Sequence, residues 1–240
     1  MVGIVIQGPT NYYKSILDFW ASINKSHCKV VWSTWDSEPS YNLKEIRESG
    51  IEVIENSLPE FSGYLNLNYQ CKSTYEGLKY LKSKGIKNVI KVRSDVTWEG
   101  VEEFFPYIEN KKIGFLGVNN RQFYELRDGS SLGYFLDYNH THQDFPSDMV
   151  ICGNVDYLLT TFNLEVLSNN NTPPESMIMW NYLKSHDFNT SFSPKNLKQS
   201  GVYLFTNDAV ALGNKIIWWK GKVDLVGLHK NPHQKYIIQF

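Results

Sequence analysis

The stretch VGIVIQGPT, residues 2–10, sets an apolar run, Val2 to Ile6, against a polar break, Gln7-Gly8-Pro9-Thr10. A hairpin would turn the chain back at the break. The first strand of a parallel sheet would instead present the break to a ligand. The segments that follow bear on the choice. Tyr13 to Asn24 carries Ile16, Leu17, Trp20 and Ile23 at helical spacing. CKVVWST (28–34) reads as a second strand, and YNLKEIRESG (41–50) as a short helix stopped by Gly50. IEVIE (51–55) reads as a third strand, and Asn66 to Lys84 as a long helix ended by Gly85. NVIKVRSD (88–95) is the fourth strand, and KIGFLGV (112–118) the fifth after a helix near Glu99 to Tyr107. Strands alternating with helices at this spacing predict an α/β fold, a Rossmann-like, mostly parallel sheet with flanking helices.

In such open sheets a ligand binds beyond the carboxyl ends of the strands. Gln7, Gly8, Pro9 and Thr10 end the first strand, Ser33, Thr34 and Trp35 the second, and Arg93, Ser94 and Asp95 the fourth. Three polar, turn-prone segments at one edge favour a site over a plain turn at Gly8-Pro9. There is no GxGxxG and no GxxxxGK[ST], so neither an NAD fingerprint nor a phosphate loop is indicated.

With 240 residues, 42% of them hydrophobic, the chain can bury a sizeable core, and no linker or repeat divides it. A single domain is expected. The formal net charge of −1 argues against nucleic acid as the main partner. No run approaches the roughly 18 apolar residues of a membrane span. Met1-Val2-Gly3-Ile4 has neither a basic n-region nor a long apolar h-region, so a cytoplasmic location is expected. Cys28, Cys71 and Cys152 are odd in number and widely spaced, which argues against a disulfide framework and fits a reducing compartment.

The long helix has three stripes. Leu67, Cys71, Thr74, Leu78 and Leu81 make a core face, and Lys72, Glu76, Lys79 and Ser83 a solvated one. Between them run Asn66, Gln70, Ser73 and Gly77, polar but uncharged. A helix cap accounts for Asn66, but not for Gln70 or Ser73 inside the helix. This stripe is expected to face the first-strand loop or a ligand rather than bulk water.

VIQGPT, STW, NLNYQCKSTYEGLKYL, KVRSD and SDMVICGN follow one another in an order that resembles the WavE-type lipopolysaccharide-synthesis family, over roughly Val2 to Lys184. The resemblance implies an A-type glycosyltransferase-like fold and a nucleotide-sugar donor, with 1–118 forming a nucleotide-binding half and 119–240 an acceptor-side half. Many A-type enzymes carry an Asp-x-Asp that binds a divalent metal, Mn²⁺ or Mg²⁺, on the diphosphate. Here the corresponding stretch is Arg93-Ser94-Asp95, with only the second aspartate present. Arg93 can then neutralise phosphate directly, or it can form a salt bridge with Asp95 or another carboxylate.

In the second half, Asp148 precedes an apolar strand in FPSDMVICGN (145–154). By the resemblance this segment faces a glycan acceptor, and Asp148 is either a general base or a turn cap. Thr172 and Glu175 fit a capping box at the start of a helix, with Glu175 the second candidate base. His140, His142 and Asp144 can share a metal if extended, though a solvated loop is the commoner outcome. By analogy with a late histidine and lysine in many A-type enzymes, His229 and Lys230 are candidates for the metal and the diphosphate. KIIWWKGK (215–222) reads as a strand with Trp218 and Trp219 on opposite faces.

The expected activity is transfer of a sugar from a nucleotide-sugar donor to a glycan acceptor in surface polysaccharide or lipopolysaccharide synthesis. The alternatives are a nucleotidyltransferase, which ordinarily needs a Gly-rich first loop, and a nucleotide-sugar or glycan-binding protein with a decayed transferase site.

Overall fold

The computed structural model describes residues 1–26, 28–98, 101–108, 113–119, 144–164, 174–187, 202–205, 217–219 and 223–224. Strands β1 (Val2–Gln7), β2 (Cys28–Trp35), β3 (Glu52–Asn56) and β4 (Asn88–Arg93) pair in parallel in the order β3-β2-β1-β4. Helices α1 (Tyr13–Ser26), α2 (Ser40–Glu48) and α3 (Leu67–Ser83) make the crossovers. The polar break after β1 therefore belongs to a parallel sheet and not to a hairpin.

Beyond β4 the pattern changes. After β5 (Val96–Trp98), a 3-10 turn (Val101–Phe104) and α4 (Phe105–Ile108) comes β6 (Ile113–Asn119), the expected fifth strand. It does not pair with β4. Strand β7 (Asp144–Asn154) runs between them, antiparallel to both, and β8 (Val202–Phe205) closes the seven-stranded sheet parallel to β6. The sheet is mostly parallel, as expected, but holds this one reversed strand. Helices α5 (Val155–Phe162) and α6 (Pro174–Ser185) follow β7. A second, antiparallel sheet joins β5 to β9 (Ile217–Trp219) and β10 (Val223–Asp224).

Alternation along each strand sends its side chains to two cores. Ile4, Ile6, Val30, Trp32, Ile90 and Val92 pack with Ile16 and Trp20 of α1. Val5, Val31 and Val89 pack with Leu78 and Leu81 of α3 and with Ile178 and Tyr182 of α6. Both faces of the central strands are thus covered, which is why they read as unbroken apolar runs. Trp20 is fully buried and its indole N–H donates to the carbonyl of Val96 at 3.1 Å, tying α1 to the small sheet.

Candidate functional site

Gln7 pairs with Ser33 on one side and Arg93 on the other, so the carboxyl ends of three strands share one edge. The backbone N–H of Ser94 donates to the carbonyl of Gln7 at 2.8 Å, and that of Gly8 to Ser33 at 3.1 Å. Gly8 has φ of +123°, and a Cβ there would lie 2.7 Å from the Ser94 Oγ. Only glycine lets the first loop rest on the fourth strand in this way.

Strand β4 ends at Arg93 and β5 starts at Val96, so Ser94 and Asp95 form the corner between the two sheets. Arg93 turns to that corner. Its Nε donates to Asp95 Oδ1 at 3.0 Å and its NH2 to Oδ2 at 2.8 Å, a bidentate pair. Its NH1 lies 3.5 Å from Asp148 Oδ1. Asp95, Asp148 and Glu175 are all buried. Burial alone would lower the Arg93 pKa. Asp148, Asp95 and Glu175 together hold it above its ordinary value, so the guanidinium stays charged.

Asp148 lies inside β7, and not in a turn before the strand as the sequence suggested. Val150 pairs with Val92 of β4, which brings Asp148 to the same edge. On the other side the register with β6 jumps from Phe115↔Ile151 to Leu116↔Ser147. Asp148, Met149 and Val150 therefore bulge away from β6. Such bulges re-aim side chains and are common beside sites. The sequence reads as a shorter strand because Pro146 and Asp148 both disfavour a strand locally.

The helix stripe is partly as expected. Gln70 and Ser73 are buried, and a Cβ on Gly77 would come within 2.6 Å of Val5 Cγ1 and 3.2 Å of Ser33 Cβ. The Ser33 hydroxyl donates to the Ser73 carbonyl at 2.6 Å, while the Ser73 hydroxyl donates back to Tyr69 at 2.7 Å. Tyr69 packs on Trp35 with ring centroids 5.3 Å apart. The start of α3 thus hangs over the same strand edge. Asn66 departs from the expectation: it is exposed, with φ of +63°, in the 3-10 turn Tyr64–Asn66 that precedes α3. The helix begins one residue later than the stripe required.

Two buried amides at this edge stand out. Neither Gln7 Oε1 nor Gln70 Oε1 meets a hydrogen-bond donor among the described residues. Leaving such an acceptor unmet costs about 1–3 kcal/mol, which a ligand bearing O–H or N–H groups would recover. Thr10 is already engaged: its N–H and hydroxyl donate to Glu38, and its oxygen accepts from Asn42 at 2.9 Å. Pro9 beside it is exposed. Thr34 is buried on the α1 face of β2, its hydroxyl also unmet among the described residues.

Each oxygen of Asp95 already accepts from Arg93, which leaves it only one lone pair per oxygen for the metal-binding half of an Asp-x-Asp. Among the described residues no group of three or more His, Cys, Asp or Glu side chains is arranged to hold a metal ion. His229, Lys230, His140, His142 and Thr172 lie outside the described residues. Trp218 and Trp219 fall on β9 as predicted. Among the described residues no helix is long and apolar enough to cross a membrane.

Sequence reasoning missed Lys91. It is fully buried in β4, and its ammonium donates to the backbone carbonyl of Asp148. A single lysine in an apolar strand reads as a solvated position; only the adjacent arginine and aspartate hinted otherwise.

No protein-family model and no curated protein matches the chain. Solved structures do. The chain is similar to the galactosyltransferase LgtC in complex with donor and acceptor sugar analogues, at 13% identity and a TM-score of 0.46, over 85% of this chain and 72% of that one. It is also similar to 4-diphosphocytidyl-2C-methyl-D-erythritol synthase, at 8% identity and a TM-score of 0.45, over 74% and 82%. A third likeness is to core-mannan synthase A from Aspergillus fumigatus in its Mn/GDP form, at 10% identity and a TM-score of 0.39, over 68% and 63%. These likenesses are remote in both sequence and superposition.

Proposed function

We propose that the protein is a nucleotide-sugar-dependent glycosyltransferase acting on a glycan acceptor, in surface polysaccharide or lipopolysaccharide synthesis. The observation that carries this reading is the cluster of half-buried Arg93 with buried Asp95 and Asp148, with the charge of Glu175 close by, at the carboxyl edge of the parallel strands. Such a cluster supplies both kinds of group that the reaction needs. An acceptor hydroxyl oxygen bonds to the anomeric carbon, the bond from that carbon to the diphosphate breaks, and its electron pair leaves with the diphosphate. Asp148 takes the hydroxyl proton. A guanidinium has five N–H groups, and the contacts to Asp95 and Asp148 use only part of them. Arg93 therefore still has donors for the departing diphosphate.

Asp95 holds Arg93 in place, and Glu175 adds a further carboxylate on the acceptor side. The unmet acceptors of Gln7 and Gln70 suit the hydroxyl or N–H groups of the donor's nucleoside. Gly8, Pro9, Thr10, Thr34, Trp35, Ser73 and Ser94 shape that edge, and Asn66 and Lys230 remain outer candidates.

One observation favours a second reading, a nucleotide-sugar or glycan-binding protein with a decayed transferase site. The lone aspartate of the motif is spent on Arg93.

The first experiment is a thermal-shift panel of UDP, GDP, CDP and CMP, with and without Mn²⁺. A ligand at 100 times its dissociation constant stabilises by about 2.7 kcal/mol, enough to resolve. One nucleotide should stand out. Incubation with the matching nucleotide-sugars should then release nucleotide slowly. Binding without release favours the second reading, and no binding by any nucleotide refutes both donor-based readings.

A further inference from the structure

Lys91 occupies the middle of β4 with no exposed surface. Burying an ammonium is costly, so such a group needs a reason to be there. Its contact supplies one. The ammonium donates to the carbonyl of Asp148, the first residue of the three that bulge away from β6. The groups that face it come from several elements. Arg93 lies on its own strand and Asp95 just beyond, the Cys71 thiol is on α3, and Asp148 is on β7. Glu175 of α6 acts on Arg93. Lys91 and Arg93 together oppose three carboxylates. Without Lys91 a single guanidinium would oppose all three.

We propose that Lys91 is a positioning residue for Asp148: its ammonium pins the bulge so that the carboxylate meets Arg93, and its charge keeps that carboxylate ionised. The inference deepens the reading of Asp148 as the base and rests on it, because a base must be ionised before it can accept a proton. Arg93 alone must already serve Asp95 through two hydrogen bonds, and its approach to Asp148 is the longer one. A second positive charge behind Asp148 compensates.

The test needs no substrate, so it stands whether or not a nucleotide-sugar is turned over. Aspartate side-chain carboxyl carbons of the full-length chain are followed by NMR against pH, with Asp148→Asn identifying the Asp148 signal. In Lys91→Met and Lys91→Gln the Asp148 midpoint should rise by roughly one unit or more. Glutamine retains a donor for the carbonyl, so it should leave the β7 backbone signals nearer wild type than methionine does. The wild type provides a check that survives misfolding of either variant. Burial pushes the Lys91 ammonium down to about 8, so the Asp148 signal should shift together with the Lys91 side-chain signals as that ammonium loses its proton. An unmoved Asp148 midpoint in folded variants, or a loss of the Lys91 proton in the wild type that leaves the Asp148 signal unmoved, overturns the proposal.

Discussion

Asp95 gives both oxygens to one guanidinium, and this favours the second of the two jobs open to a lone aspartate at a strand end, holding Arg93 over binding a metal. A metal ligand needs a lone pair directed at an ion, and here Arg93 engages one on each oxygen. Asp95→Asn keeps the shape, removes the charge and loses one of the two acceptors. We expect the variant to bind its best nucleotide poorly both with and without Mn²⁺ in the thermal-shift assay, because Arg93 is no longer held. Loss of affinity only in the presence of Mn²⁺ would instead assign Asp95 to a metal. The aspartate itself was legible in the sequence, standing after the apolar residues Val89, Ile90 and Val92. Its partner was left open, since a bidentate pair between residues two apart depends on how the chain turns the corner into β5.

At the scale of the element, α3 joins the core to the site. Its Gly77 lies against Val5 and Ser33, with no room for a methyl group. Gly77→Ala should therefore destabilise the fold by about 1–3 kcal/mol through overpacking, despite alanine's better helix propensity; urea unfolding measures it. Gln70, two turns closer to the strand edge, should behave in the opposite way. Gln70→Ala removes an unmet acceptor, so the fold should keep its stability while nucleotide affinity falls. If stability drops and affinity holds, the stripe serves only packing. Periodicity made this helix readable, because Leu67, Cys71, Leu78 and Leu81 recur on one face and all are buried. It could not locate the helix start. Leu65 and Asn66 both adopt positive φ, a local conformation that composition does not announce.

The whole molecule repeats this division between local and distant signals. The parallel strands β1, β2 and β4 were legible because both of their faces are largely buried and their apolar residues show it, while β3 at the sheet edge is only half-buried. The place of β7 was not, since nothing local dictates that a strand from residues 144–154 should enter between β4 and β6 in the reverse direction. Lys91 and the bulge at Asp148 are consequences of that entry, so they were hidden with it.

Burial of Lys91 also shapes the pH dependence of global stability. Its pKa falls from 10.5 to about 8, chiefly by desolvation. Below pH 8 both folded and unfolded chains carry the proton, and the penalty of burying it is fully present. Above pH 8 the folded chain sheds the proton while the unfolded chain retains it until about 10.5. The unfolded state then binds more protons, so the Lys91 contribution rises with pH in that window. Other groups oppose it further up. Burial pushes the Cys71 thiol from 9.0 up to about 12, so stability is lost as the unfolded thiol ionises above pH 9. The Tyr13 and Tyr80 hydroxyls are likewise raised from 10.0 to about 12, chiefly by desolvation and then by Glu45 and Glu52. Between pH 8 and 9 Lys91 acts ahead of these groups. Urea unfolding of wild type and Lys91→Met at both pH values should show wild-type stability rising relative to the variant by about 1 kcal/mol across that unit. A difference that stays flat from pH 8 to 9 would mean that the Lys91 ammonium keeps its proton throughout, held by the carboxylates more firmly than burial opposes it.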